Sequence, residues 1–341
     1  MNIGDKTLAT RLFRASTPEA IEPDLAALWR EIAETDTAIA RAVMSNLVVF
    51  RNRAAASESG TAALAIDPPL EDVLALHPSR LIVLEYEQVE RTSDPPFTAG
   101  VGIAVFGPEH ARYGVEQIVA RSACAEVALP SIVRRFIRGD LPTTVWWTED
   151  LSQVAPLGAL VTMGRQLLYD SRQWSDVAGG MRAIGPLVGD RYADLADLNW
   201  RRLAPVRRAL AHARQAGGLA VLSPDATVHV AHRPGESALA WLLAGTLMAG
   251  QQGPAVPPPR VDDTAPGDAV LRLTIRRGSS EATVTLTDQN VVVDEGSGTP
   301  LVVAVPVEHE ADAVAAELRT LSQDADLGAA IGALDRHLNL R

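Results

Sequence analysis

Apolar and polar positions alternate along this chain in two rhythms. Between residues 24 and 43, Leu25, Leu28, Trp29, Ile32, Ile39 and Val43 recur at near-helical spacing, with Arg30, Glu31 and Glu34 opposite, which predicts an amphipathic helix. NLVVF at 46–50 is a short apolar run suited to a strand covered on both faces, and a second helix is expected over 69–76. RLIVLEYEQVE at 80–90, VGIAVFG at 101–107 and YGVEQIVARSA at 113–123 read as three strands of a meander. LPSIVRRFIRGD then places Pro130 where a helix begins and Gly139 where it stops, and TTVWWT follows as a strand. A small helix at 158–164 and the strand QLLYD, ending in Asp170 and Ser171, complete the first unit.

From about residue 190 the pattern restarts. DLADLNWRRLAPVRRALAHAR predicts a long helix, kinked or split at Pro205 because proline removes a backbone donor. ATVHVAH is a strand and SALAWLLAGTLMA a buried helix; a Pro-rich loop spans 254–267. Three or four alternating strands between Val270 and Val305, a helix over 308–321 and a helical LGAAIGALDRHL close the chain. The expected fold is α/β in two domains, 1–180 and 190–341, each a mixed sheet covered by helices. Both halves share an order of elements and a Trp-Arg pair (Trp29-Arg30, Trp200-Arg201), which fits a distant duplication or the ordinary economy of layered α/β folding.

Composition narrows the function. The 341 residues are 47% hydrophobic and 21% charged, which allows packed cores. The net charge of −11 disfavours broad attraction to nucleic acid or an anionic membrane surface. A single cysteine, Cys124, excludes an internal disulfide, and with no secretory leader in the opening residues the expected location is cytoplasmic. The longest apolar stretch, 238–250, is too short to span a bilayer.

The usual catalytic constellations are missing: there is no GxxxxGK[ST], HExxH or GxSxG, and the glycines of GVGIAVFG sit inside a strand rather than opening a helix. No cofactor and no metal are expected. His229 and His232 are three apart on a strand and so face opposite ways. Glu308, His309 and Glu310 suit a helix start, where carboxylates meet the positive end of the dipole. Cys124 reads as a small buried hydrophobe rather than a nucleophile. Arg134, Arg135 and Arg138 form a basic cluster that is either a solvated helix face or a receptor for an acidic partner or phosphate. Strand alternation sends Trp146 and Trp147 to opposite faces, so one is structural and at most one is a contact. Ligands of open α/β sheets gather beyond the carboxyl ends of strands, where Thr148, Glu149 and Asp150 are expected.

LPSIVRRFIRGDLPTTVWWTED followed by QLLYDSRQW resembles the hallmark region of the OpcA family, the glucose-6-phosphate dehydrogenase assembly proteins of cyanobacteria and actinobacteria. The matching residues are Pro130, Ser131, Asp140, Leu141, Pro142, Trp146, Trp147, Asp170 and Ser171. MSNLVVF (44–50), HPSRLIVL (77–84), GVEQIVARS (114–122) and DLNWRRLAPVRRAL (197–210) extend the resemblance over most of the first 210 residues. It implies a non-catalytic protein that binds glucose-6-phosphate dehydrogenase and favours its active oligomer, in support of the oxidative pentose phosphate pathway. The partner-binding residues expected on this reading are Arg134, Arg135, Arg138, Trp146, Trp147, Asp170 and Ser171. The rival from another class is a sugar-phosphate-binding enzyme or sensor at the end of the Trp-Trp strand, with Arg134 or Arg138 holding phosphate and Asp170 holding hydroxyls. A third reading is a scaffold bridging several pathway enzymes.

Overall fold

The computed structural model describes residues 8–35, 38–52, 68–86, 98–122, 129–153, 158–189, 193–218, 223–250, 256–296, 298–320 and 323–339. Cys124 lies outside them. The first part of the chain forms β1 (Leu8–Ser16), α1 (Ile21–Thr35), β2 (Ala40–Arg41), β3 (Ser45–Asn52), α2 (Pro68–Leu76), β4 (Ser79–Tyr86), β5 (Thr98–Phe106), β6 (Tyr113–Ser122), α3 (Leu129–Phe136), β7 (Thr143–Trp147), α4 (Gly158–Val161), β8 (Gln166–Tyr169), α5 (Val177–Gly189) and β9 (Asp194–Asp197). The strands make one mixed sheet in the order β1-β5-β6-β4-β3-β7-β8-β9, with β2 beside β6. Pairing is antiparallel through β1, β5 and β6, and parallel from β6 to β9.

In β3, Val48 and Phe50 enter one core while Leu47 and Val49 enter the other, so NLVVF is apolar throughout because both faces are covered. Three expectations change. The helix predicted over 24–43 ends at Thr35, and Ile39 packs on the core from outside it. β4, β5 and β6 are not a meander: β5 and β6 form an antiparallel pair, but β6 inserts between β5 and β4 and runs parallel to β4. The stretch from 190 does not begin as a helix, because Asp194–Asp197 pairs with β8 as the last strand of the first sheet. Gly100 in β5 serves neighbouring β1, since a Cβ there would lie 2.2 Å from the Phe13 ring.

The chain continues with α6 (Leu198–Arg202), α7 (Ala204–Gln215), β10 (Thr227–His232), α8 (Ser237–Met248), β11 (Arg260–Asp262), β12 (Leu271–Arg277), β13 (Ser280–Leu286), β14 (Asn290–Asp294), β15 (Leu301–Ala304), α9 (Glu310–Arg319) and α10 (Ala325–Asn339). The second sheet runs β11-β10-β12-β13-β14-β15 and is antiparallel apart from the β10–β11 pair. The predicted split of the long helix falls between α6 and α7, with Pro205 in the first turn of α7, where its missing N–H costs nothing. The fold is α/β with two mixed sheets covered by helices.

The last helices return to the first sheet. Ala311, Val314 and Leu318 of α9 share a core with Trp146, Leu168 and Leu70, while α10 packs on α5 and α8. Thus α9 and α2 together cover one face of the first sheet, and the chain after residue 300 completes a core begun near residue 47.

Candidate functional site

At the amino ends of the parallel strands, the motifs of the sequence converge into a lock. Asn46 donates through Nδ2 to the Arg138 carbonyl at 2.9 Å and to Thr143 Oγ1 at 3.0 Å, and its Oδ1 accepts from the Arg138 N–H at 2.9 Å. One side chain therefore pins the turn between α3 and β7. Beside it, buried Glu116 accepts from Trp29 Nε1 at 2.9 Å and from buried Arg80 at 2.7 Å, with Arg41 also paired to it and Arg138 at 3.6 Å. Ser45 Oγ lies 3.2 Å from His77 Nε2 and 2.9 Å from Ser79 Oγ, and burial together with the charge of Arg319 holds His77 below its ordinary pKa. MSNL and HPSR are thus two halves of one joint.

Arg134 and Arg135 are exposed in the last turn of α3, and Arg138 is half-buried in this joint. In β7, Trp147 stacks on Phe50 with ring centroids 4.0 Å apart, while Trp146 enters the opposite core under α9. The alternation holds, and both rings are inside at 5% and 1% exposure. Neither indole is presented at the surface of the chain by itself. Beyond β7, Thr148 Oγ1 donates to the Phe50 carbonyl at 2.8 Å. Asp150 accepts from Ser152 N–H and from Ser175 N–H, both at 2.8 Å, joining this turn to the one after β8. Burial raises the Asp150 pKa, and hydrogen bonds from the hydroxyls and then the N–H groups of Ser152 and Ser175 outweigh it to hold the carboxyl below its ordinary value.

The carboxyl ends of β8 and β9 carry a second polar cluster. Asp197 caps α6: its Oδ1 accepts from Asn199 N–H at 2.9 Å and from Ser171 N–H at 3.0 Å, while Oδ2 is buried without a partner. Burial pushes its carboxyl up to about 7, helped by the charge of Asp170 and opposed by the two N–H bonds. Asn199 Nδ2 donates to Ser171 Oγ at 3.1 Å. Asp170 accepts from Arg172 N–H at 3.0 Å, and burial raises it as well. Tyr169, also fully buried, is pushed well above its ordinary value by burial and then by Asp197. Arg202 bridges Asn199 Oδ1 at 2.8 Å and both oxygens of buried Glu236, at 2.8 and 2.9 Å. Burial works against the Glu236 charge, but Arg202, Arg172 and Arg233 hold its pKa down.

This cluster opens onto a groove of about 930 Å3 between α6, α7, the turn after β13 and the segment 305–310. Asp170, Arg172, Arg201, Arg202, Arg207 and Arg208 are among its lining residues. Arg201 is clamped by Glu308 at 2.7 Å and Glu317 at 3.1 Å, so Glu308 serves this ion pair rather than the cap of α9. β7 and β8 run parallel, so Arg138 and Asp170 stand at opposite ends of the sheet, separated by roughly 15 Å of strand. The pairing of Arg134 or Arg138 with Asp170 in one sugar-phosphate site is therefore not formed. The arginines near Asp170 are Arg172 of its own turn and those of RRLAPVRR, where two Arg-Arg pairs six residues apart were the available signal.

His229 and His232 serve separate partners, Asp262 at 2.9 Å and the Arg233 carbonyl at 2.9 Å. Among the described residues no cluster of three or more His, Cys, Asp or Glu is arranged to hold a metal, and no helix is long and apolar enough to cross a membrane.

Comparison with known proteins gives two family matches in tandem. Residues 71–185 match the glucose-6-phosphate dehydrogenase subunit N-terminal domain, and residues 193–331 match the C-terminal domain of the same subunit. No curated protein matches the chain. Among solved structures, an oxidoreductase from Thermotoga maritima is 10% identical with a TM-score of 0.44, covering 86% of this chain and 93% of that one. A super-repressor mutant of Gal80p from Saccharomyces cerevisiae is 9% identical with a TM-score of 0.41, covering 82% and 83%. Those likenesses are too distant to speak to activity. The two family matches follow one another along the chain, as the N- and C-terminal parts of a single protein should, and the Trp-Trp strand and the Asp-Ser turn both fall within the first: the chain belongs to the OpcA family of glucose-6-phosphate dehydrogenase assembly proteins.

Proposed function

We propose that this protein is a non-catalytic partner that binds glucose-6-phosphate dehydrogenase and favours its active oligomer, in support of the oxidative pentose phosphate pathway. The observation that carries the reading is the tandem pair of family matches, both described as parts of a glucose-6-phosphate dehydrogenase subunit. Such a partner acts only if it binds the active state more tightly than the inactive one, because equal affinity shifts no equilibrium.

In this proposal the chain works in the cytoplasm as two domains, expected at 1–180 and 190–341, with β9 and α9 of the second stretch joined to the first sheet. Exposed Arg134 and Arg135 meet the dehydrogenase directly. Arg138, Trp146 and Trp147 hold the α3–β7 surface in shape, and Asp170 and Ser171 do the same for the turn after β8. The test is size-exclusion chromatography of the purified chain with its cognate dehydrogenase, followed by assay of each fraction. Co-elution with raised dehydrogenase activity, and none in the chain alone, is the expected result. Separate elution with unchanged activity refutes the proposal, and several stoichiometric partners captured from extract point to the scaffold reading.

A further inference from the structure

The groove at the carboxyl ends of β8 and β9 holds positive charge that the fold uses only in part. Arg207 and Arg208 are consecutive in α7 and both line it. Arg207 lies 4.0 Å over the Trp200 ring, and its Nε–H is buried without an acceptor. Burial weakens the hold of Arg207 on its proton; Asp324 and Asp326 strengthen it, and Arg208 weakens it further. Arg208 is exposed and makes no ion pair among the described residues. Two guanidiniums lining one groove, one with an unmet N–H and the other without an ion pair among the described residues, suit a dianion, since each offers a planar fork that matches phosphate oxygens.

The lining also carries carboxyls. Asp170, at the end of β8, and Glu310, at the start of α9, both line the groove, and burial raises both carboxyls, Glu310 also feeling the charge of Asp170. Carboxylates of this kind accept hydrogen bonds from hydroxyl groups. Leu198, Leu239, Val270 and Leu286 supply apolar lining. The volume falls within the range of small-molecule sites, and the position beyond the carboxyl ends of parallel strands is where α/β sheets gather ligands.

We propose that this groove binds a small phosphorylated polyhydroxy compound, its phosphate held by Arg207 and Arg208 and its hydroxyls by Asp170 and Glu310. Asp170 follows a strand of the first sheet and the other three come from elements after residue 200, so the ligand ties distant parts of the chain together. Ligand occupancy then becomes an input to the protein separate from the dehydrogenase.

The site is tested on the full chain alone, so its failure leaves the dehydrogenase partnership untouched. Titration calorimetry and thermal unfolding are run with sorbitol 6-phosphate, inorganic phosphate and sorbitol. Saturable binding of sorbitol 6-phosphate with a raised melting temperature, weaker binding of phosphate and none of sorbitol are expected. Arg208→Glu, at an exposed side chain, keeps the melting temperature of the free protein and weakens binding about 10- to 100-fold, the scale of a lost charge-assisted bond. Arg134→Ala with Arg135→Ala, remote from the groove, leaves affinity unchanged. The proposal is overturned by the absence of saturable binding of sorbitol 6-phosphate, by equal affinity for inorganic phosphate, or by undiminished affinity in Arg208→Glu.

Discussion

Glu116 and Asp197 are two carboxyls of the same sheet, 1% and 2% exposed, standing at opposite ends of it and treated in opposite ways. Glu116, at the amino end, is met by Arg80, Arg41, Arg138 and the Trp29 indole. Asp197, at the carboxyl end, has two backbone N–H groups on one oxygen, no partner on the other, and a pKa lifted to about 7. A buried charge that is fully paired serves to fix geometry, and removing one partner is costly because the other stays buried. A carboxyl buried without a cation is held near neutrality instead, and an open groove lies beside it. The amino end is therefore a joint, and the carboxyl end is where the molecule has chemistry to spare.

The largest expected effect tests the joint. Glu116→Ala removes the buried carboxylate that Arg80, Arg41 and the Trp29 indole share, leaving interior Arg80 with only the half-exposed Glu22 among the described residues, and should lower unfolding free energy by about 3–5 kcal/mol in urea titration. A loss below about 1 kcal/mol, the value of an exposed pair, would show that the end is not locked by this charge.

The second tests the other carboxyl through pH. Folded Asp197 keeps its proton up to about 7, whereas in the unfolded chain it ionises near 3.8. Between those values the folded state binds more protons, so the Asp197 contribution to stability falls as pH rises, by about 1.4 kcal/mol per pH unit. Asp170, Glu310 and Glu317 are shifted the same way and add to the slope. Asp197→Asn keeps an acceptor for Ser171 and Asn199 and should flatten this dependence when unfolding is followed across the window. An unchanged slope contradicts the assignment.

The third and fourth effects are smaller. Asn46→Ala removes the bonds that pin the α3–β7 turn and should cost about 1–3 kcal/mol in thermal unfolding, with faster amide exchange confined to residues 138–143. Arg134→Ala with Arg135→Ala should change stability by less than about 0.5 kcal/mol, since both are exposed. The same variant should slow association with the dehydrogenase and flatten its salt dependence, measured by surface plasmon resonance. Unaltered association would remove this helix face from the interface.

Much of this comparison was legible from periodicity. Alternation sent Trp146 and Trp147 to opposite faces, both of which prove to be cores, and the apolar run NLVVF marked β3 as covered on both faces. Elements that break local rules were not legible. α5 carries Gly179, Gly180, Gly185 and Pro186 and has little helical signature, yet Gly180 is required because a Cβ would lie 2.3 Å from Trp174. β1 is an edge strand with Arg11 and Arg14 on its two faces, which obscures alternation, and β11 lies inside the Pro-rich loop. DLAD reads as helix in isolation and becomes a strand only because β8 offers it an edge. The groove was not legible either: local spacing brought out Arg134, Arg135 and Arg138, but strand direction, which puts Asp170 at the far end, is a property of the topology.

The partnership with glucose-6-phosphate dehydrogenase is the central claim, and sedimentation velocity of the dehydrogenase with and without this chain, with activity read on the same samples, tests it most directly. A joint boundary, a dehydrogenase population shifted to its active oligomer and a rate that rises to a stoichiometric plateau are predicted. Independent sedimentation of the two proteins, with the dehydrogenase distribution and rate unchanged, would contradict it.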